Sequence, residues 1–327
     1  MWVLGADDLE MTTIEGLLLR SKERMEYAMD NLSKRVTSAS AYKVEKISED
    51  ALKSHQVYFV ECGLGNSKNF GTKIDHHRPG DPGYGLRVME FMKAASIGQI
   101  ISELARIGSL KLEVTGCSFR TMIADKTKAG DIFWDDGWYV GIGDVCAQSY
   151  AIRIPKKYVL TAAADHCLGE AYADQCLGIS RDSLFQFRLK QKALFQSGKE
   201  ESKIEDNELR QLMEPFRIKI DSACAALKNA NMIQKFYKKT SIPESHQKPI
   251  LDMRGPEIPE LPDAATLCGV CYLATPIPQT GERQKIVIGG YTTPAIIDAF
   301  MTVWGPRNGL VDIYGDPEGG FAEGFLS

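Results

Sequence analysis

The stretch "TKIDHHRPGDPGYG", residues 72 to 85, sets an acid and two imidazoles side by side, after a short apolar run and before a turn rich in glycine and proline. The chain has five histidines, and two of them stand here. Alone, such a pair reads as solvated loop polarity. Three further segments add weight: "GADDLEM" (5 to 11), "FVECG" (59 to 63) and "AAADHC" (162 to 167) each place an acid, or an acid and an imidazole, beside apolar residues. Each also has a structural reading. Asp7 and Asp8 suit an N-cap and a first helical turn, Glu61 a solvated strand end, Asp165 and His166 the wet face of a helix. Gathered at one sheet edge, several carboxylates repel one another unless cations lie between them. A mixed carboxylate and imidazole set suits Mn²⁺, with Mg²⁺ or Fe²⁺ as alternatives.

The elements that must position these groups read as alternating strands and helices. "MWVLGA" reads as a strand, and Ile14, Leu17, Leu18, Met25, Ala28, Met29 and Leu32 recur at helical spacing to about Lys34. "AYKVEKI" is a strand candidate. "QVYFVECG" is a nearly unbroken apolar run, the pattern of a strand buried on both faces of a parallel sheet. "GTKIDHH" is a short strand ending at the acid. "EFMKAASIGQIISELARIG" reads as a helix that restarts near Ser96, an expected N-cap, and "KKYVLTAAADHCLGEAY" as a further helix.

This order predicts an α/β chain: a doubly wound, mainly parallel sheet domain with a second, smaller α/β C-terminal domain. Expected boundaries are 1–196 for the first domain, 197–263 for a linker and connecting helix, and 264–327 for the small terminal domain. The connecting region carries the polar "QSGKEESKIEDNE", a helix from about Glu208 to Tyr237, and five prolines between Ser241 and Asp263 that read as an irregular crossing. The terminal unit reads as strand 266–274, strand 285–291, helix 294–304, strand 309–314, then "GDPEGGFAEGF".

The totals bound the function. At 327 residues, with 44% hydrophobic and 25% charged residues, the chain has the balance of a soluble globular protein. A net charge of -4 excludes binding to long nucleic acid through a broad basic surface. A small phosphorylated partner held by a local cluster or by metal ions fits, and a homodimer is allowed. No run approaches the roughly 18 to 20 apolar residues that span a bilayer, and the N-terminus turns acidic too early for a secretory signal, so a cytoplasmic location is expected. Eight cysteines lie mostly in apolar segments, which suits reduced thiols. Cys268 and Cys271 have CxxC spacing, but no second pair follows, and on the expected strand their thiols point to opposite faces.

The order and context of the four acidic segments resemble the DHH superfamily of phosphoesterases. The likeness covers about residues 1 to 180, and the helix "AASIGQIISEL" (94 to 104) is similar to the family's Ala/Ser-rich helix after the histidine pair. The resemblance implies a metal-dependent phosphodiesterase or phosphatase acting on short oligonucleotides or nucleotides, with two Mn²⁺ ions. It implies Asp8, Glu10, Glu61, His76 and Asp165 as metal ligands, with Asp75, His77 and Asp165 in catalysis. Asp75 would orient the loop, and His77 would face the substrate phosphate or act as an acid. Arg78 and His166 are implied phosphate contacts.

The chain departs from the family in three places. Leu4 stands where the first motif opens with histidine, and Glu10 and Glu61 replace aspartates. The terminal "GDPEGGFAEGF" resembles the family's glycine-rich substrate motif, with Gly319 and Gly320 as implied contacts and Ala322, Gly324 and Phe325 in its ending, but it lacks the histidine. A nucleotide-binding or regulatory protein that keeps the fold without turnover is the alternative these departures leave open.

Overall fold

The computed structural model describes residues 1–38, 40–44, 46–65, 70–87, 90–110, 113–118, 138–142, 150–172, 179–199, 201–233, 235–237, 240, 242–244, 247–255, 257–278, 283–317 and 320–327. The chain is mixed α/β and divides into two compact units. The first is built chiefly on Met1–Asp165, the second chiefly on Ser180–Ser327 together with His166 and the residues that follow it.

The first unit holds a four-stranded parallel sheet of β1 (Trp2–Leu4), β2 (Met25–Tyr27), β3 (Tyr58–Val60) and β4 (Thr72–Ile74), in the order β2-β1-β3-β4. All three residues of β1 and of β3 are buried, as the unbroken apolar runs require of central strands covered on both faces. Val3 and Phe59 pack against Ala28, Val36, Ala41 and Val44 on one face. On the other, Trp2 stacks on Tyr58, whose hydroxyl donates to Glu103 of the helix Ser96–Arg106. That helix buries Ile97, Ile100, Ile101 and Leu104, one stripe at helical spacing. Each such side chain contributes about 1.5–3 kcal/mol by leaving water. Because the connection after β2 returns to the far side of β1, the strand order reverses between β1 and β3. In sheets of this kind the crevice beyond the carboxyl ends at that reversal is where ligands collect.

The first helix stops earlier than its apolar periodicity predicts. It spans Leu9–Arg20, Lys22 adopts a left-handed backbone, and the chain enters β2. Ala28 N–H donates to Leu4 O, so pairing with the central strand overrides the helical spacing of Met25, Ala28, Met29 and Leu32. "AYKVEKI" forms a short turn at Ala41–Lys43 and isolated bridges at Val44 and Lys46 in place of a strand. A three-stranded antiparallel sheet, β5 (Glu113–Ser118), β6 (Trp138–Ile142) and β7 (Tyr150–Ile154), precedes the helix Lys156–His166.

The second unit holds a mixed sheet of β8 (Ile250–Met253), β9 (Cys271–Ala274), β10 (Lys285–Gly290), β11 (Leu310–Asp316) and β12 (Phe321–Leu326), ordered β11-β12-β10-β9-β8. Only β8 and β9 run parallel. Leu189 and Ala193 of the helix Arg181–Ser197, with Phe216, Ile220 and Leu227 of the helix Asp206–Lys228, pack on Leu251, Met253 and Tyr272. The latter helix ends at Lys228, short of the expected Tyr237. The proline-rich segment contains strand β8, and the terminal motif contains strand β12. The expected strand from 266 starts as the end of a helix, Leu261–Leu267, which leaves Cys268 exposed at its C-cap, while Cys271 is buried on β9. Among the described residues no helix is long and apolar enough to cross a membrane.

Candidate metal centre

Three parallel strands end at chemistry. β1 leads through Gly5 to Asp7, Asp8 and Glu10, β3 leads directly to Glu61, and β4 leads directly to Asp75, His76 and His77. Short strands in register therefore bring together residues that lie far apart in sequence. The first unit's helix Lys156–His166 adds Asp165.

The geometry is tight. His76 Nε2 lies 2.9 Å from Asp165 Oδ2 and 3.9 Å from Glu61 Oε1. Glu10, His76 and Asp165 each offer one ligand atom within 4.8 Å of the others, as do Glu61, His76 and His77. Glu10, Glu61 and His76 are buried. Glu10 Oε2 and Glu61 Oε1 are buried atoms without a hydrogen-bond partner among the described residues, and Asp165 Oδ2 meets His76 Nε2. Burying an uncompensated carboxylate costs on the order of several kcal/mol, and like charges at this range add to it. A divalent cation removes both penalties, so this donor set fits one.

Electrostatics agree with the distances. Burial, then the charges of Asp165 and Glu61, push the Glu10 carboxyl well above its ordinary value. Asp8 is exposed by surface area, yet the protein around its carboxyl and the charge of Glu61 lift it to about 7. Burial would also raise Asp165, but the imidazole of His76 outweighs it and holds Asp165 below the usual carboxylate range.

Backbone features fix these positions. Glu61 has φ 49°, a left-handed conformation that a glutamate adopts at a cost of about 1 kcal/mol or more, and its N–H donates to Ile74 O at 2.9 Å. Gly5 permits the approach of β1 to this turn, since a Cβ there would stand 2.5 Å from Glu61 O and 2.9 Å from Val60 O. Glu10 Oε1 accepts the N–H of Ile97 at 2.7 Å, and Ser96 is the first helical residue rather than the cap. The helix is thus capped by a carboxylate from elsewhere in the chain, where the sequence predicts a local serine.

The Asp75 loop is built around one oxygen. Asp75 Oδ1 accepts the amides of His76 at 2.8 Å and His77 at 3.1 Å, and lies 2.8 Å from His77 Nδ1. Burial opposes ionisation of Asp75, but the hydrogen bond and charge of His77 win and hold it far below the ordinary range. For His77, burial and the neighbouring His76 act downward, yet Asp75 and Glu61 keep it above its usual value. Asp81 accepts the Arg78 amide at 2.8 Å and pairs with Lys73, and Gln99 brackets the Asp75 backbone from both sides. Tyr42, Lys73, Asp81 and Gln99 escape sequence reasoning because each acts over a long or irregular stretch of chain with no local motif.

The other predicted residues have the following settings. Asp8 is the N-cap of the helix Leu9–Arg20, its Oδ1 accepting Met11 N–H, and it joins neither triad. Asp7 faces Arg35 at 3.3 Å. Leu4 is fully buried in β1 and packs as core. Arg78 lies over the Tyr42 ring. His166 belongs to the second unit, fully buried, with Nδ1 3.7 Å from Asp316 Oδ2. Gly320 has φ 78° and its carbonyl accepts the Thr292 hydroxyl, whereas Gly319 lies outside the described residues.

No family model and no curated protein matches the chain. Among solved structures, it is similar to the pGpG-specific phosphodiesterase PggH from Vibrio cholerae, with a TM-score of 0.36 and 10% identity over 99% of this chain and 93% of that one. A likeness that distant adds nothing to what the geometry of the site itself supports.

Proposed function

We propose that the chain is a metal-dependent hydrolase of phosphate esters, a phosphodiesterase or phosphatase acting on short oligonucleotides or nucleotides. The observation that carries this reading is the set of carboxyl oxygens of Glu10, Glu61 and Asp165 gathered around buried His76, two of them, Glu10 Oε2 and Glu61 Oε1, without a hydrogen-bond partner among the described residues. These four residues would hold the cations, with Asp8 at the rim. Mn²⁺ suits the donors best, and of the two ions proposed one would take His76 while the carboxylates would share the other. When bound, such ions acidify water toward neutral pH and neutralise charge on a phosphoryl group.

The chain's own residues supply the rest. Asp75 fixes the ring of His77 through Nδ1, which directs its Nε2 away from the loop. With Nδ1 held by Asp75, a protonated Nε2 can donate a hydrogen bond to a phosphate oxygen or a proton to the leaving oxygen. Asp165 steadies His76, and the guanidinium of Arg78 offers a planar fork for a phosphate.

The test is Mn²⁺ calorimetry with a hydrolysis panel of short oligoribonucleotides, adenosine 3',5'-bisphosphate and a cyclic dinucleotide, run on the wild type and His76→Ala. The expected result is micromolar or tighter metal uptake, and hydrolysis abolished by chelator and by the substitution. Absence of both metal uptake and hydrolysis would overturn the proposal. Nucleotide binding that survives chelation would identify a binding protein on the same fold.

A further inference from the structure

Tyr42 lies outside every segment that supplies a carboxylate or an imidazole, in the turn Ala41–Lys43 between β2 and β3. Its hydroxyl stands 3.2 Å from Asp75 Oδ1, the same oxygen that gathers the amides of His76 and His77 and faces His77 Nδ1. A carboxylate oxygen only accepts, so the tyrosine hydroxyl donates. The opposite end of the loop rests on the same side chain. The guanidinium carbon of Arg78 lies 3.6 Å from the centroid of the Tyr42 ring, and Lys73 Nζ lies 5.3 Å from it. One aromatic residue therefore touches both the first and the last member of the run Asp75–Arg78.

Two consequences follow from these contacts. A donor on Asp75 Oδ1 restricts rotation of the carboxylate, and a restricted carboxylate fixes the plane of the imidazole bound to it. A guanidinium held over a ring loses less freedom on meeting a planar or tetrahedral anion. Tyr42 also packs against the cluster of Val3 and Phe59, so its ring does not swing with the loop.

We propose that Tyr42 is a positioning residue of the hydrolytic site, orienting His77 through Asp75 with its hydroxyl and holding Arg78 in place for the substrate phosphate with its ring. This rests on the metal-dependent reading above. The two halves separate cleanly, because Tyr42→Phe removes only the hydroxyl while Tyr42→Leu removes the hydroxyl and the aromatic face.

The experiment uses the full chain. It measures Mn²⁺ affinity by electron paramagnetic resonance, kcat and KM on the best substrate of the panel, competitive inhibition by inorganic phosphate, and the His77 ring N–H resonance. Tyr42→Phe is expected to lower kcat about tenfold or more, with KM and phosphate inhibition unchanged and the His77 resonance shifted. Tyr42→Leu is expected to show the same loss and in addition to raise KM and weaken phosphate inhibition by about tenfold. A wild type that takes up no Mn²⁺ and hydrolyses nothing would remove the functional reading, and this inference with it. A wild type that is active, with both variants melting earlier but keeping kcat, KM and the His77 resonance, would overturn the inference alone.

Discussion

Ile97 donates its backbone N–H to Glu10 Oε1 at 2.7 Å, so one carboxylate serves as helix cap and candidate ligand at once. The two roles respond differently to substitution. Glu10→Gln keeps an acceptor for Ile97 but removes the charge, whereas Glu10→Ala removes both. Burial raises the Glu10 carboxyl above its ordinary 4.5, so in the metal-free protein the fold prefers the protonated form. Its contribution is complete below about pH 4.5 and is lost as pH rises through the elevated folded value. Metal-free wild type should therefore melt at falling temperature as pH rises above this point, and Glu10→Gln should flatten the slope. Mn²⁺ affinity of Glu10→Gln should fall about tenfold or more. Glu10→Ala should lose a further 1–3 kcal/mol or so by denaturation, from the orphaned amide.

Gly5→Ala tests the junction of β1 with the Glu61 turn. The added Cβ meets two backbone carbonyls, which have no side-chain freedom with which to yield. The expected cost is about 2 kcal/mol or more by chemical denaturation, with weakened Mn²⁺ binding because Glu61 is displaced. An unchanged midpoint would mean that the two strand ends do not approach as described.

A third prediction concerns the second unit alone. Asp263 is buried against Arg188, paired at 3.1 Å through guanidinium Nε and Nη2, and against Lys192 at 3.0 Å. Burial acts upward, but the charges of Arg188 and then Lys192 hold Asp263 down at about 2. A depressed folded pKa contributes stability above the unfolded value of 3.8 and loses it as pH falls toward about 2. Asp263→Asn should remove this acid-limb dependence, measured as denaturation midpoint against pH. Arg188→Met, which leaves a buried carboxylate short of its strongest partner, should cost about 3–5 kcal/mol at neutral pH.

What the sequence revealed of this molecule follows from where local signals are strong. β1 and β3 were readable because central strands of a parallel sheet are apolar throughout, and Glu61 stood out as an acid ending such a run, while the edge strand β4 was marked by the Asp75 and histidine pair that follow it. The helix Ser96–Arg106 announced itself by its buried stripe. Its cap did not, since Glu10 reaches it only through the tertiary fold. The end of the first helix was hidden because Lys22, not a glycine, takes the left-handed turn. Strand β8 was masked by flanking prolines. Tyr42 and Asp81 carry no motif at all, and their importance emerges only when the loop closes on them.

The N–H of Glu61 donates to Ile74 O, one position before the Asp75 loop begins. A single amide thus belongs both to the sheet and to the pocket, and sliding of β3 against β4 would alter the spacing between Glu61 and His76 in the same movement. Hydrogen exchange at that one position works as a built-in strain gauge, reporting on the alignment of the strands and the readiness of the donors together.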